Sequence, residues 1–172
     1  ATAASLPVTV DADAKLCVDI NLNNKPWLGM VINGKTFDGG KHTISNLNMS
    51  QYLLNQQATI YTPEACIGLF AAVYGNAAIK DITLDRVTIE PSAEKSPKWV
   101  GSLVGYSKGT GTTYTNCIAK NVKILTEGTN SFRVGGLIGY IEKNKGTSDA
   151  TATLTGCKVE TANIAASFSY GG

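Results

Sequence analysis

The sequence predicts an all-β chain wound as a right-handed parallel β-helix, a β-solenoid of about five coils, and three observations carry that expectation. The phrase VGGLIGY at Val134 to Tyr140 recurs as VGSLVGY at Val100 to Tyr106 and, more loosely, as IGLFAAVY at Ile67 to Tyr74. Its glycines Gly68, Gly101 and Gly135 stand 33 and 34 residues apart, and a fixed period of roughly 20 to 50 residues marks a repeat architecture. Inside each repeat, apolar and polar residues alternate with the period of two that belongs to strands. One such unit cannot bury its own apolar face, so copies stack like on like into a continuous core. Parallel connections are almost always right-handed, which sets the hand of the coil.

Taken in order, residues 1–36 read as an end coil: PVTV, KLCVDINL and GMVING are short β-favouring runs parted by turn-prone residues. Residues 37–66 read as a first coil and a loop. Asp38-Gly39-Gly40 is its turn signal, and Ile44, Leu47 and Met49 are its apolar positions. NQQ and Thr62-Pro63-Glu64 break the pattern between Ser50 and Ala65, so that stretch reads as a loop with one helical turn near Gln51 to Leu54. Residues 67–99, 100–133 and 134–167 are the repeats proper, and FSYGG at Phe168 to Gly172 lines up with FRVGG at Phe132 to Gly136. The 172 residues therefore read as a single β-helix domain that breaks off as a further copy begins, a fragment of a longer protein.

The second halves of the copies align as well as the glycine halves. HTISNLNM from Ile44, IKDITLDRVTI from Ile79, YTNCIAKNVKI from Tyr114 and LTGCKVETANI from Leu154 start 35, 35 and 40 residues apart. The extra length of the last copy falls in EKNKGTSDAT, Glu142 to Thr151, polar as an insertion in a surface loop should be. Apolar columns then read Ile44, Ile79, Tyr114, Leu154; Leu47, Ile82, Cys117, Cys157; and Met49, Leu84, Ala119, Val159. Val87, Val122, Ala162 and Ile89, Ile124, Ile164 continue them, while Asp85, Lys120, Glu160 and Thr88, Lys123, Asn163 form outward polar columns. Asn46, Asp81, Asn116 and Gly156 read as a turn column, since these types tolerate a left-handed backbone.

Composition narrows function by exclusion. The chain is 43% hydrophobic and 16% charged, with 15 basic and 13 acidic side chains leaving +2. That charge does not by itself drive binding to nucleic acid or an anionic membrane. No apolar run reaches about 18 residues, so nothing in the segment reads as a membrane span. Ala1 to Pro7 shows no basic start and no apolar core of a signal peptide.

The glycine phrases VGSLVGY and VGGLIGY, each followed by an Asn/Gly-Cys run leading to Val/Ala-x-Ile, resemble the GLUG-type repeat of bacterial surface and secreted proteins. KPWLGMVINGKTFDGGKHTISNLNM is similar to the opening that precedes such repeats. The resemblance covers roughly Asp19 to the end. It implies a pectin-lyase-like β-helix in an adhesin or other secreted or cell-surface protein of Bacteroides-like bacteria. Implied partners are a host or dietary glycan or a cell-surface protein, and no ligand is named. Two departures stand out: the first copy carries Ala71 and Ala72 where a second glycine is expected, and residues 6–36 lack the phrase.

Candidate sites are few. Cys117 and Cys157 share a column, so their Cα atoms lie about 5 Å apart in neighbouring coils. In-register neighbours point their Cβ atoms the same way, which favours a ladder of free thiols over a disulfide. Pairing of Cys17 with Cys66 is weaker still, and no Cys/His spacing reads as a zinc site. His42, the sole histidine, sits beside a Gly-Gly turn and reads as a surface turn residue, with no nucleophile-elbow phrase to serve. The carboxylates Asp38, Asp81, Asp85, Glu90, Glu127 and Glu160 are dispersed, whereas a glycosidase wants two of them about 5 to 10 Å apart. Asp85, Lys120 and Glu160 read as a solvated acid-base-acid ladder. No catalytic, cofactor or metal residues are expected. A polysaccharide lyase or glycoside hydrolase of the β-helix type and a structural spacer remain the alternatives to a non-catalytic contact module. For contact with a ligand the aromatics Trp99, Trp27, Tyr106 and Tyr140 are the candidates, because sugars stack on such rings. Each of the four also has a packing role open to it, Trp99 least of all.

Overall fold

The computed structural model describes residues 8–50, 66–91, 97–126, 133–143 and 152–166. The loop with its helical turn expected at Ser50 to Ala65, most of the insertion at Glu142 to Thr151, and the FSYGG end fall almost wholly outside those residues. Among the described residues all regular structure is strand, and every pairing between strands is parallel.

The chain lays its strands down in successive passes. The first pass gives β1 (Val8–Val10), β2 (Ala14–Lys15) and β3 (Ile20–Asn21). The second gives β4 (Met30–Asn33), β5 (Thr36–Asp38) and β6 (Thr43–Asn48). The third and fourth add a short leading strand: β7 (Cys66–Ile67), β8 (Phe70–Tyr74) and β9 (Ala78–Ile89), then β10 (Trp99–Gly101), β11 (Val104–Lys108) and β12 (Thr112–Leu125). The fifth gives β13 (Arg133–Gly135), β14 (Ile138–Glu142), β15 (Ala152–Thr155) and β16 (Lys158–Ala165). Three ladders result, in the orders β1-β4-β8-β11-β14, β7-β10-β13 and β2-β5-β9-β12-β15, with β3, β6 and β16 extending the last. Since β4 lies on β1, the stretch expected as one end coil already starts the second rung.

The core columns of the three repeats stand as the alternation predicts. Tyr114 lies between Ile79 and Leu154, Ala119 between Leu84 and Val159, Val122 between Val87 and Ala162, and Ile124 between Ile89 and Ile164. In the middle rungs these side chains are fully buried. The first copy is a correction. Phe37, not Ile44, lies opposite Ile79, while Ile44 faces Leu84 and Leu47 faces Val87. Between paired positions β5 and β6 spend the four residues Gly39 to His42 where β9 spends two, Asp81 and Ile82. An ungapped alignment absorbs that longer turn by sliding Ile44 onto Ile79.

Two bends with left-handed backbone crease the long ladder. The first uses Asp81 (φ 51°), Asn116 (φ 51°) and Gly156 (φ 64°), as expected of that column. Asn46 (φ 56°) does not belong with them. It stands in a second bend with Arg86 (φ 55°), Asn121 (φ 51°) and Thr161 (φ 57°). That bend was invisible in the sequence because arginine and threonine are not types that enrich at positive φ. Amide ladders tie successive rungs at both bends: Asn116 Nδ2 donates to Asp81 Oδ1 at 2.9 Å, Asn121 Nδ2 to Asp85 Oδ1 at 2.8 Å, and Asn46 Nδ2 to Asn21 Oδ1 at 2.8 Å.

The glycines of the repeated phrase serve close approach rather than φ. A Cβ on Gly101 would stand 2.3 Å from the Val104 carbonyl oxygen and 2.6 Å from the Gly139 nitrogen. A Cβ on Gly105 would stand 2.8 Å from that of Cys66. Where the first copy has Ala71 in place of that glycine, the neighbouring rung supplies Gly29, whose own Cβ would come within 2.9 Å of Ala71's. The missing glycine has moved one rung along the stack.

Candidate functional site

Aromatic side chains gather beside the tight turn at Ser102 and Leu103 that joins β10 to β11. Trp99 leads into that turn and Tyr106 leaves it, and Tyr140 lies opposite Tyr106 in the next rung. The Trp99 ring stacks on Tyr106 with centroids 4.7 Å apart and planes 21° apart, and on Tyr140 at 5.7 Å and 13°. Tyr106 and Tyr140 are 6.1 Å apart at 22°, and Tyr74 meets Tyr106 edge-on at 6.0 Å and 72°. The stack forms a cluster separate from the main core, packed on Cys66, Ala71 and Ala72. Each pair of this kind adds about 0.5 to 1.5 kcal/mol beyond area burial, so much of the stack's role is adhesive.

Charged groups border the rings. The Tyr106 hydroxyl donates to Glu142, whose other oxygen lies 3.0 Å from Lys108 Nζ. The Arg133 guanidinium stands 5.6 Å from the Tyr140 ring centroid, a cation-π placement. Burial, with the Glu142 bond second, drives the Tyr106 phenol well above its ordinary range. Trp99 and Tyr106 are only 5% and 1% exposed, whereas Tyr74 and Tyr140 are half-buried and carry the accessible part of the ring cluster.

The four aromatics singled out in the sequence thus divide three to one. Trp99, Tyr106 and Tyr140 come together; Trp27 joins the main core, and its Nε1 donates to the Leu69 carbonyl at 3.1 Å. Arg133, Glu142 and Tyr74 are members of the site that the sequence reading missed. Glu142 was within reach, because the register that sets Tyr140 on Tyr106 also sets Glu142 on Lys108.

The remaining candidates are held by architecture. All four cysteines are free. The Cys117 thiol donates to the Ile79 carbonyl at 3.4 Å and the Cys157 thiol to the Tyr114 carbonyl at 3.3 Å, and burial pushes the Cys117 thiol up. His42 Nδ1 lies 3.2 Å from Asp19 Oδ1, which also accepts the Thr43 amide at 2.9 Å. That amide, and then His42, hold the Asp19 carboxyl below the usual carboxylate range. Asp38 accepts the Gly40 amide at 2.8 Å and lies 3.4 Å from Lys80. Lys120 stands between Asp85 and Glu160 as expected, 3.5 Å from Glu160. Lys158, at 2.5 Å, is the main cause of Glu160's lowered pKa. Among the described residues no three His, Cys, Asp or Glu side chains are placed to hold a metal ion.

No protein-family model matches the chain, and no solved structure matches it. It is similar to halomucin of Haloquadratum walsbyi, with 25% identity over 158 residues, a match that takes in 87% of this chain and 2% of halomucin. The chain therefore spans only a small part of that relative's length.

Proposed function

We propose that the chain is a right-handed parallel β-helix of five coils, of the GLUG type, in a secreted or cell-surface bacterial protein, and that it makes contact with a glycan or a surface protein without catalysis. The observation that carries the non-catalytic part is the employment of the carboxylates. Asp19 and Asp38 cap turns, Asp81 and Asp85 accept the amide ladders, and Glu142 and Glu160 are tied to lysines. A general acid needs a carboxyl whose pKa is raised toward neutrality, yet the resolved shifts of Asp19, Asp38 and Glu160 all run downward. The contact part rests on Tyr140, a half-buried ring with the Arg133 guanidinium over it, a mix of aromatic face and polar rim that suits a sugar. Among the described residues no helix is long and apolar enough to cross a membrane.

A spacer role is the second reading, favoured by the near-complete burial of Trp99 and Tyr106. A glycan array and an assay for reducing sugar or unsaturated uronide separate the readings. Binding without turnover, weakened in Tyr140→Ala, is the expected result. Turnover of any polysaccharide sinks the non-catalytic reading, and silence on the array favours the spacer.

A further inference from the structure

We infer that Asn48 is the acceptor of an N-linked oligosaccharide carried on the outer face of the second rung; this rests on the surface location proposed above. Asn48-Met49-Ser50 is the only Asn-x-Ser/Thr run, with x other than proline, in the 172 residues. It closes β6, Thr43–Asn48, where that strand leaves the ladder. Met49 points into the core and is 1% exposed, so the residues on either side of it face outward, and both are half-buried. Asn48 is interior to its ladder, with Pro26 on one side and Thr88 on the other.

The local geometry is that of an acceptor. The Ser50 amide donates to Asn48 Oδ1 at 3.1 Å, which folds the tripeptide into an Asx turn. That bond holds Oδ1 against the turn and leaves Nδ2 as the uncommitted end of the amide, with no acceptor among the described residues. Other asparagines of the ladder differ: Asn46, Asn116 and Asn121 each donate from Nδ2 to an Oδ1 of the adjoining rung, at 2.8 to 2.9 Å. Ser50 Oγ accepts the Glu90 amide at 2.9 Å, which anchors the hydroxyl and leaves its own proton to be donated. An amide nitrogen and a hydroxyl two residues on are the groups that this tripeptide rule requires.

The transfer balances with a lipid-linked oligosaccharyl pyrophosphate as co-substrate. Nδ2 forms a bond to the anomeric carbon while the bond from that carbon to the pyrophosphate oxygen breaks. The electron pair leaves with the pyrophosphate, and the displaced Nδ2 proton passes to a base of the transferase. The product is a bulky, solubilising surface group, set in the outward column of Asn48, Thr88 and Lys123, which has no apolar member to be covered.

The test exports the 172-residue chain, given a signal peptide and a C-terminal tag that holds an efficient acceptor tripeptide, from a host with an asparagine-directed oligosaccharyltransferase. Amidase release in heavy-oxygen water leaves an isotope-labelled aspartate wherever a glycan stood, and peptide mass mapping locates it. The expected result is a label at Asn48 in the parent and in Ser50→Thr, with complete loss there in Asn48→Gln and Ser50→Ala while the tag stays labelled. Ser50→Ala is the decisive variant, because it keeps the asparagine and removes only the hydroxyl. A circular dichroism spectrum matching the parent's shows that its loss is not misfolding. A labelled tag beside a bare Asn48 overturns the inference, and so does a label at Asn48 that persists in Ser50→Ala. Neither outcome touches the surface reading, which fails separately if an antibody to the full-length protein does not reach it on intact source cells.

Discussion

Glycine placement shows how single residues set this architecture. Gly101 and Gly34 look alike in the sequence, yet they act through opposite constraints. Around Gly101 the closest atoms to an added Cβ are all backbone, at 2.3 to 2.8 Å, so Gly101→Ala forces two rungs apart. Its expected cost is about 1 to 3 kcal/mol, the range of an overpacked core, read from the urea midpoint. Gly34 has nothing within 4 Å but a φ of 62°, so Gly34→Asn, which tolerates that region, should stay within about 0.5 kcal/mol. Asp38 offers a charge test at the same scale. Its carboxyl is held below the usual range first by the Gly40 amide and then by Lys80. A depressed folded pKa contributes stability that is present above the unfolded value, about 3.9, and is lost as pH falls through the folded one. Asp38→Asn keeps an acceptor for the Gly40 amide. Its Tm should lie slightly below the parent's near pH 7 and converge with it as pH falls below about 4.

Strands and bends are where the sequence was most and least legible. The apolar positions from Ile79 to Ile89 and from Tyr114 to Ile124 were enough to place every core column of the two longest strands, because both copies repeat the same spacing of three, two, three and two residues. The first copy was misread because its glycine-rich turn is longer, and turn length is not encoded in the apolar pattern. The second bend was missed because neighbouring rungs impose its backbone on residues that do not prefer it. Thr161 is the plainest case, a β-branched residue at φ 57° in a column that elsewhere holds Asn46 and Asn121. Thr161→Asn should therefore stabilise the protein by about 1 kcal/mol, seen as a higher urea midpoint with an unchanged slope. The aromatic site was half legible: Tyr106 and Tyr140 lie in one column, but Trp99, which stacks on both, comes from across the turn at Ser102 and Leu103. Burial raises the phenols of both Tyr106 and Tyr114. A raised folded pKa means stability that is whole below the unfolded value, about 10, and is lost as pH rises beyond it. An ultraviolet titration should show these two tyrosines ionising only as the protein unfolds.

At the scale of the whole molecule, the parallel ladders run strand to strand, so the cover over a side chain depends on its strand's place in the ladder. Among the described residues, β9 and β12 have paired strands on both sides, whereas β15 and β16 have one on one side. Leu84 and Ile164 are both apolar members of inward columns, yet one is at 0% exposure and the other at 43%. Truncating Leu84 removes buried methyl groups and leaves a cavity between two fixed rungs, so Leu84→Ala should cost about 2 to 5 kcal/mol. Ile164 has open solvent beside it, and the rung can settle around the loss, so Ile164→Ala should cost under about 1 kcal/mol. Sequence composition gives no warning of this difference, because both residues are apolar members of inward columns. The same gradient orders local opening: amide exchange should be slowest in β9 and β12 and fastest in β15 and β16. Uniform protection along the axis, or equal costs for the two alanine variants, would show that the stack unfolds as one unit, with the end rung as firmly held as the centre.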